Sequence, residues 1–357
     1  MREWTTGARG VVACAALWGA VGCTVSAGDR VQVPEGDTPI HHAVVVDEDL
    51  ASAVDAEIVD ALYEADLPGL GVAIVRDGEV VFCGGYGWAD IATERPMQGD
   101  TPVLLSSVSK TFIGTTAMQA VAAGMLDLDQ PVRDVVGFEV NNPKVDGDAV
   151  TVRDLLTHNS GIRDTSEYSS AYADGDPTIE LEDFVRGYIT KGGDYYRRGN
   201  WAREMPGTQF AYSNVGASLG ALAVGKAYGV EYAEVVRRDV LEPLGMEDSA
   251  FFLSEVPKEP ATPYRSRLGK GAFRELSQYG YPTYPDGMMR SPACDVGRYV
   301  AAIAGGGVLE GVRIMEEEDV DEMLTVDVGA GTDEDGQAVA WAMREMGGHE
   351  LYGHNGG

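Results

Sequence analysis

A serine and a lysine that can act together in nucleophilic catalysis stand three positions apart in this sequence. Ser107 and Lys110 form the only S-x-x-K in the chain. On a helix, residues at this spacing share a face, with Cβ atoms about 5–6 Å apart. A serine hydroxyl becomes a strong nucleophile when a neighbouring base takes its proton. An amine can be that base when burial or nearby positive charge lowers its pKa. The pair therefore predicts acyl-transfer chemistry.

The surroundings of this pair favour a functional lysine. On its own, an S-x-x-K can equally be a serine N-cap followed by a solvated lysine. Here Leu104-Leu105 leads into a helix that the sequence predicts over Ser107–Ala123 and that Gly124 ends. The other face of this helix is apolar, with Phe112, Ile113 and Met118. A single lysine in the first turn of such a helix is unusual and indicates a functional role.

A second candidate element is Tyr212-Ser213-Asn214, the only Y-x-N in the chain. A tyrosine can pass a proton between nucleophile and leaving group when a nearby cation lowers the pKa of the phenol. An asparagine can bridge a lysine and a substrate amide. The alternative for the tyrosine is a buried side chain whose hydroxyl is satisfied within the core.

A third candidate element is His354-Asn355-Gly356, which stands at the end of a predicted strand with Gly357 beyond it. Glycine at such a place lets a substrate backbone lie against the strand edge. Without further context, a glycine-rich strand end is an ordinary turn.

A competing nucleophile is Ser218, in a segment from Gly216 to Gly220 that matches the G-x-S-x-G elbow of α/β-hydrolases. The elbow needs a strand directly before it, and the apolar stretch Phe210–Tyr212 is too short for one. The two glycines, four residues apart, suit close packing between helices. Ser218 remains a remote alternative.

In this order and at this spread, the three elements resemble the active-site triplets of serine β-lactamases and penicillin-binding proteins, which read S-x-x-K, S-D-N and K-T-G. Tyr-Ser-Asn in the second place resembles the class C branch and its esterase and D-peptidase relatives. His-Asn-Gly in the third place resembles the esterase and peptidase side more than a true class C enzyme. The segments Pro68–Arg76 and Leu155–Gly161, an L-L-x-H-x-S-G, extend the resemblance over roughly residues 48–357. We interpret His158 of this segment as structural.

The resemblance implies a serine hydrolase that forms an acyl-enzyme from an ester, a D-amino-acid peptide or a β-lactam. Ser107 would be the nucleophile, and Lys110 and Tyr212 would accept its proton. Backbone N–H groups of Ser107 and Gly357 would form the oxyanion hole. It implies a small-molecule or short-peptide substrate and no metal or cofactor. The residues that would bind substrate are Asn214, His354, Asn355, Gly356 and Gly357.

A non-enzymatic alternative is a catalytically silent lipoprotein that binds wall peptides or β-lactams. A binding protein, however, has no need of the serine, the lysine and the tyrosine together.

Hydrophobic periodicity and turn residues predict an α/β (α+β) fold. The first part reads as a helix over Asp47–Asp66, then strands over Gly71–Arg76 and Val80–Gly87 joined by a hairpin turn at Asp77-Gly78. The last part reads as two strands around Gly347-Gly348, over Ala338–Arg344 and Glu350–His354. Between them the pattern is mostly helical, with helices over Val152–Thr157, Val215–Tyr228, Tyr232–Leu241 and Asp295–Ala304.

This order predicts an α/β part over about 47–115 and 300–357, with an all-α domain inserted at about 116–299. The resemblance implies a β-lactamase/transpeptidase-like arrangement, an antiparallel sheet flanked by helices. In the proteins it resembles, further strands and a terminal helix follow the third element. We therefore expect C-terminal strands and a helix to be missing from this sequence and the chain as written to be inactive or poorly soluble.

The N-terminus predicts export. Arg2 and Arg9 precede an apolar stretch at 11–21 that is too short for a membrane span and typical of a signal peptide. The signal, residues 1–22, ends before Cys23 in a sequence that resembles the bacterial lipobox. Cys23 is therefore expected to carry lipid and to anchor the protein in the cell envelope, at the periplasmic face or outer membrane. Cleavage by ordinary signal peptidase, for example after Ala27, is the alternative.

Charge and cysteine content narrow the environment further. With 57 acidic and 27 basic side chains, the net charge of −30 disfavours nucleic acid and anionic membranes as partners, so membrane contact is expected only through the lipid. Residues 23–46 are polar and predict a tether. Apart from Cys14 in the signal and Cys23, the exported protein would contain two cysteines, Cys83 and Cys294. In an oxidising compartment they could form a disulfide, and two buried free thiols are the alternative. The oligomeric state is open as well.

Overall fold

The computed structural model describes residues 27–34, 36–147, 149–266, 270–329 and 335–357. The predicted signal peptide and Cys23 lie outside these ranges. The α-helices are α1 Glu48–Ala65, α2 Lys110–Ala122, α3 Val132–Val136, α4 Val152–Leu156, α5 Ser166–Ser169, α6 Leu181–Ile189, α7 Asn214–Tyr228, α8 Tyr232–Val236, α9 Ala293–Ala304 and α10 Glu317–Met323. One π-helical turn, Arg237–Leu241, continues α8, and 3-10 turns span Ser106–Ser109, Arg198–Asn200, Leu253–Glu255 and Tyr284–Asp286.

The strands pair antiparallel throughout the described part of the chain. They are β1 Ala27–Gln32, β2 Ile40–Val45, β3 Gly69–Arg76, β4 Glu79–Asp90, β5 Arg95–Pro96, β6 Val103–Leu104, β7 Ala173–Asp174, β8 Tyr264–Arg265, β9 Ala272–Leu276, β10 Tyr279–Gly280, β11 Arg290–Ser291, β12 Val308–Leu309, β13 Val312–Arg313, β14 Val328–Gly329, β15 Gly336–Gln337, β16 Ala342–Met346 and β17 His349–Gly353. The mixed class predicted from the sequence, antiparallel sheets with flanking helices, is confirmed.

The first sheet is built on the hairpin predicted at Asp77-Gly78. Both turn residues have positive φ, 53° and 76°, and such a turn matches the right-handed twist of the strands it joins. The strand order is β2-β4-β3. One face of the sheet packs on α1, where Leu62 is buried with Phe82 and Tyr86.

The other face of this sheet packs on α9. Cys83 of β4 and Cys294 of α9 form a disulfide with their Cα atoms 5.6 Å apart, so the two cysteines are paired. The approach is close, because a Cβ atom on Gly297 would lie 2.9 Å from the Ala73 Cβ and one on Gly99 would lie 2.7 Å from the Cys294 Sγ. Glycine at these places lets helix, loop and strand meet.

The packing of α9 differs from the division of the chain predicted at 299/300. The helix spans that boundary and packs on β3 and β4. Helical periodicity predicts the helix α9 and its apolar face. It does not predict whether that face packs on the sheet or on the helical part.

Two strands lie in the segment predicted to be a polar tether. β1 pairs with β9 and β2 with β4. The His42 Nε2 of β2 lies 2.8 Å from the Asp55 Oδ1, which also accepts a hydrogen bond from the Tyr86 hydroxyl at 2.7 Å. Most side chains of β2 are exposed. The alternation of buried and exposed residues that reveals a strand in a sequence is therefore absent here.

The helical part is organised around α2, most of whose side chains are buried, as befits a helix at the centre of a core. Helices α7, α8 and α10 pack against it. A Cβ atom on Gly220 of α7 would lie 2.7 Å from the Leu156 Cδ2, so this glycine serves the close packing that its spacing predicts.

The last sheet has the order β14-β15-β16-β17. Its final hairpin turns at Gly347-Gly348, as predicted, with φ of 61° and 81°. The strand before this turn begins at Ala342, later than predicted. The backbone of the residues before Ala342 forms hydrogen bonds with the helical part instead. Val339 N donates to Met323 O at 3.1 Å, and Ala340 N donates to Leu156 O at 2.9 Å. In the described part of the chain, helices of membrane-spanning length and hydropathy are absent.

Candidate active site

Ser107 lies in a tight 3-10 turn, Ser106–Ser109, directly before α2. The sequence predicts a regular helix from Ser107, and the difference arises because tertiary contacts hold this turn. Ser106 adopts a left-handed φ of 48°, and such strained residues cluster at functional sites. Leu105 N donates to Met289 O at 2.8 Å, and Met289 N donates to Ser109 Oγ at 3.1 Å. The turn is thereby fixed to the backbone beside β11, and Ser107 stays partly exposed.

Lys110 is completely buried and its ammonium has an acceptor for each of its hydrogens. The Nζ atom lies 3.0 Å from Ser107 Oγ, 2.7 Å from Asn214 Oδ1 and 2.6 Å from the backbone oxygen of Asp286. An unpaired buried ammonium costs several kcal/mol, and this complete set of acceptors offsets that cost. The lysine is therefore held within hydrogen-bond distance of the serine.

Tyr212 stands beside this lysine and remains open to solvent. Its ring centroid is 5.1 Å from Lys110 Nζ, and the residue is 39% exposed. One side of the ring faces His158 at 4.3 Å between centroids, and His354 lies 5.9 Å away. The exposed position suits contact with a bound substrate better than the alternative of a core tyrosine.

His158 holds the loop that carries Tyr212. Its buried Nδ1 accepts a hydrogen bond from Ser213 N at 3.2 Å, and its carbonyl accepts one from Ala211 N at 2.7 Å. Burial, followed by the positive charge of Lys110, lowers the pKa of His158 well below its usual range. A neutral imidazole in this place matches the structural role that the sequence predicts.

Asp164 is a residue of this site that sequence reasoning missed. Its Oδ2 accepts hydrogen bonds from the backbone N of Asn214 at 2.8 Å and from the side-chain Nδ2 at 2.9 Å. Its Oδ1 accepts from Ser213 Oγ at 3.1 Å and Val215 N at 3.2 Å. Because the Asn214 amide nitrogen faces Asp164, its oxygen faces Lys110. Asp164 lies three residues after the L-L-x-H-x-S-G segment. Its closeness to that segment is the feature of the sequence that could have identified it as a site residue.

Asp286 is a second missed residue, and it decides the role of Ser218. Its buried carboxylate accepts hydrogen bonds from Ser218 Oγ at 3.1 Å and the Tyr168 hydroxyl at 3.2 Å. Burial raises the pKa of Asp286 to about 6, against the opposing effect of Lys110. Ser218 is completely buried in the middle of α7, where no strand-to-helix elbow exists. The alternative of an α/β-hydrolase with Ser218 as nucleophile is therefore wrong.

The third element approaches the serine turn from β17. A Cβ atom on Gly356 would lie 2.6 Å from the backbone oxygen of Leu105, so glycine is required for this contact. Burial, followed by the charge of Lys110, lowers the pKa of His354, which keeps its imidazole neutral at neutral pH. Asn355 and Gly357 are exposed at the end of this element. Groups of three or more potential metal ligands are absent from the described residues.

The sequence profile of the β-lactamase family matches residues 53–357. The chain belongs to the β-lactamase family. The esterase EstB of Burkholderia gladioli is 34% identical over 228 residues, which cover 60% of this chain and 55% of the esterase. The Flp protein of Staphylococcus aureus strain N315 is 26% identical over 203 residues, 57% of this chain and 39% of Flp. The chain thus spans about half or less of the length of these curated relatives.

Several solved structures share the fold of this chain. An octameric penicillin-binding protein homologue from Pyrococcus abyssi superposes with a TM-score of 0.67 at 27% identity, over 86% of this chain and 68% of the homologue. The D-amino acid amidase of Ochrobactrum anthropi SV3, solved with L-phenylalanine amide, superposes with a TM-score of 0.69 at 23% identity, over 87% of this chain and 85% of the amidase. The predicted β-lactamase/transpeptidase-like fold is confirmed.

Replacing Asp164 by asparagine should disturb Asn214 more than it disturbs the fold. The substitution keeps the shape but turns one acceptor into a donor that faces other donors, so we expect the free energy of unfolding to fall by about 1–3 kcal/mol. If the wild type proves to be a hydrolase, we expect kcat for any substrate that it turns over to fall at least about tenfold, with a smaller change in KM, because the acceptor for Lys110 is misplaced. Asp129→Asn, which removes an exposed partner of Arg153, is the matched control. An unchanged kcat in Asp164→Asn contradicts the positioning role.

Proposed function

We propose that this protein hydrolyses carboxylic esters and D-amino-acid amides or peptides through an acyl-enzyme on Ser107. The observation that carries the proposal is the 3.0 Å contact of Ser107 Oγ with the ammonium of a completely buried lysine. A cation in this place stabilises negative charge that develops on the serine oxygen, and it does so strongly because water is excluded. Membership of a family with esterase and amidase relatives supports the same chemistry.

The proton of Ser107 needs an acceptor when the oxygen attacks the carbonyl carbon. The three hydrogens of the Lys110 ammonium already have acceptors. We therefore assign the first proton transfer to the Tyr212 oxygen acting as a phenolate, which lies beside this ammonium and becomes the neutral phenol when it takes the proton. The new bond joins Oγ to the acyl carbon, and the leaving alcohol or amine departs with the proton from Tyr212. Water then attacks the acyl-enzyme, and its proton returns to Ser107 by the same route. The N–H groups of Ser107 and Gly357 would donate to the oxyanion.

The third element supports esters and peptides over β-lactams as substrates. A lysine in this element would present a positive charge to a substrate carboxylate. Here the corresponding residue is His354, whose pKa is lowered by burial and by Lys110. A neutral imidazole offers hydrogen bonding without charge. The 34% identical esterase supports the same preference.

Ser107 should be the residue that carries the acyl group. A protein treated with a fluorophosphonate or a labelled penicillin is expected to gain one adduct, which peptide mass spectrometry places on Ser107. Ser107→Ala should abolish labelling, whereas Ser218→Ala is the matched control and should keep it. Labelling that survives Ser107→Ala contradicts the proposal. An adduct on Ser107 in a protein that turns over no ester, amide or lactam would favour the silent binding protein.

Tyr212 and Lys110 should act in the chemical step. We expect Tyr212→Phe and Lys110→Ala each to lower kcat by about 10²-fold or more, as loss of a general base or of a charge partner does, with KM changed far less. Tyr63→Phe, at a site 69% exposed, is the matched tyrosine control. Circular dichroism checks that Lys110→Ala still folds. Turnover by Tyr212→Phe at the wild-type rate would make Tyr212 a packing residue.

We propose that the mature protein is exported and anchored through lipid on Cys23, as the lipobox-like end of the signal predicts. Expressed in a bacterium, the protein should sediment with membranes and carry a diacylglyceryl mass on Cys23. Cys23→Ala should release it or leave it unprocessed, and Cys14→Ala, a cysteine within the signal, should behave as the wild type. A soluble wild-type protein whose N-terminus is near Gly28 would contradict lipidation.

A further inference from the structure

Four basic side chains gather on the helical part of a protein whose net charge is −30. They are Lys144, Arg163, Arg198 and Arg203, and together we name them the basic patch. Burial lowers the pKa of Lys144, and the positive charges of the three arginines lower it further. Each of the three arginines is therefore close enough to Lys144 for their positive charges to repel.

Tertiary structure assembles the patch from three separate segments: the first carries Lys144, the second carries Arg163, and the third carries Arg198 and Arg203. Arg163 N donates a hydrogen bond to Asn200 O at 2.8 Å, and this bond joins the second segment to the third. Lys144 Nζ of the first segment donates to the backbone oxygen of Trp201. These hydrogen bonds bring the four cations together although the first and the last of them are some 60 residues apart in the sequence.

The patch carries more positive charge than its neighbours neutralise. Its carboxylate neighbour is Glu204, which lies 3.7 Å from Arg163. Arg198 and Arg203 are exposed, and neither forms an ion pair within the described part of the chain. With acidic side chains twice as frequent as basic ones, cations without an acidic partner are unexpected unless something else binds there. Arginine recognises carboxylates with a planar pair of donors.

The patch lies next to the residues that position the active site. Arg163 directly precedes Asp164, whose carboxylate binds the Asn214 amide at 2.9 Å. The Asn214 oxygen in turn accepts from Lys110 at 2.7 Å, and Lys110 is 3.0 Å from Ser107 Oγ. Arg163 is exposed while Asp164 is partly buried, so this member of the patch meets solvent one residue away from the carboxylate that holds Asn214.

We propose that the basic patch binds a carboxylate that the substrate carries at the end remote from its reacting carbonyl. This inference rests on the proposed hydrolysis at Ser107 and adds a substrate class, acyl compounds with a second, anionic group. The acidic side chains that dominate the surface repel such a group, whereas the basic patch attracts it. The His354 imidazole, whose pKa is lowered, itself offers a substrate carboxylate no positive charge.

A length series of esters tests this directly. The substrates are mono-p-nitrophenyl esters of straight-chain dicarboxylic acids, from succinate to sebacate, each paired with its neutral methyl ester. At low ionic strength we expect the wild type to prefer the charged member, by about three- to tenfold in kcat/KM at the best length, and to lose the preference in high salt. Arg198→Gln/Arg203→Gln should lose the same preference while its kcat/KM for the neutral esters stays unchanged.

Charge removal elsewhere provides the control. Arg76→Gln/Arg313→Gln removes two exposed arginines from other surfaces and should keep the preference. A preference that survives Arg198→Gln/Arg203→Gln, or a wild type that shows none at any length, overturns the inference and leaves the proposed function intact. An equal loss on charged and neutral esters also overturns it, because the patch would then support the fold. Failure to hydrolyse even the neutral esters contradicts the proposed function itself.

Discussion

The burial of one positive charge, the ammonium of Lys110, is the constraint on which the rest of the site depends. An ammonium inside a helical core is stable only when every hydrogen has an acceptor. The acceptors come from three places: the turn of Ser107, the start of α7 at Asn214, and the backbone of Asp286. The lysine is satisfied only when these three elements are packed together. The packing that satisfies the lysine therefore also brings Ser107, Lys110 and Asn214 together.

A second layer of polar side chains holds these acceptors in place. Asp164 binds four donors at the start of α7, and His158 binds the backbone just before it. Asp286 ties α7 to the turn that receives the lysine, through Ser218. Removing one such acceptor would leave buried donors unpaired, at a cost of about 1–3 kcal/mol each. The carboxylates of Asp164 and Asp286 also lie near the lysine, Asp164 through Asn214 and Asp286 through its own backbone oxygen, and they offset its positive charge.

The distribution of charge separates the site from the rest of the surface. Most of the molecule is acidic, and the basic patch beside Asp164 interrupts this. The third element carries a neutral histidine close to Tyr212. In the proposed function, charge recognition and chemistry would fall to different residues, with Lys110 acting on the reacting oxygen and the exposed arginines binding a remote anionic group.

Features that depend on neighbouring residues along the chain could be predicted from the sequence. Ser107 and Lys110 meet because they are three residues apart at a helix start, and the hairpins at Asp77-Gly78 and Gly347-Gly348 follow from turn chemistry. The resemblance of three short elements was enough to identify the family and its fold. Tertiary structure alone decided what joins distant segments: the Cys83–Cys294 disulfide across 211 residues, the strands of the supposed tether, and the places of Asp164, Asp286 and the basic patch. These depend on which surfaces pack together, and periodicity reports only that a face is apolar or that a residue is polar, never the partner it will meet.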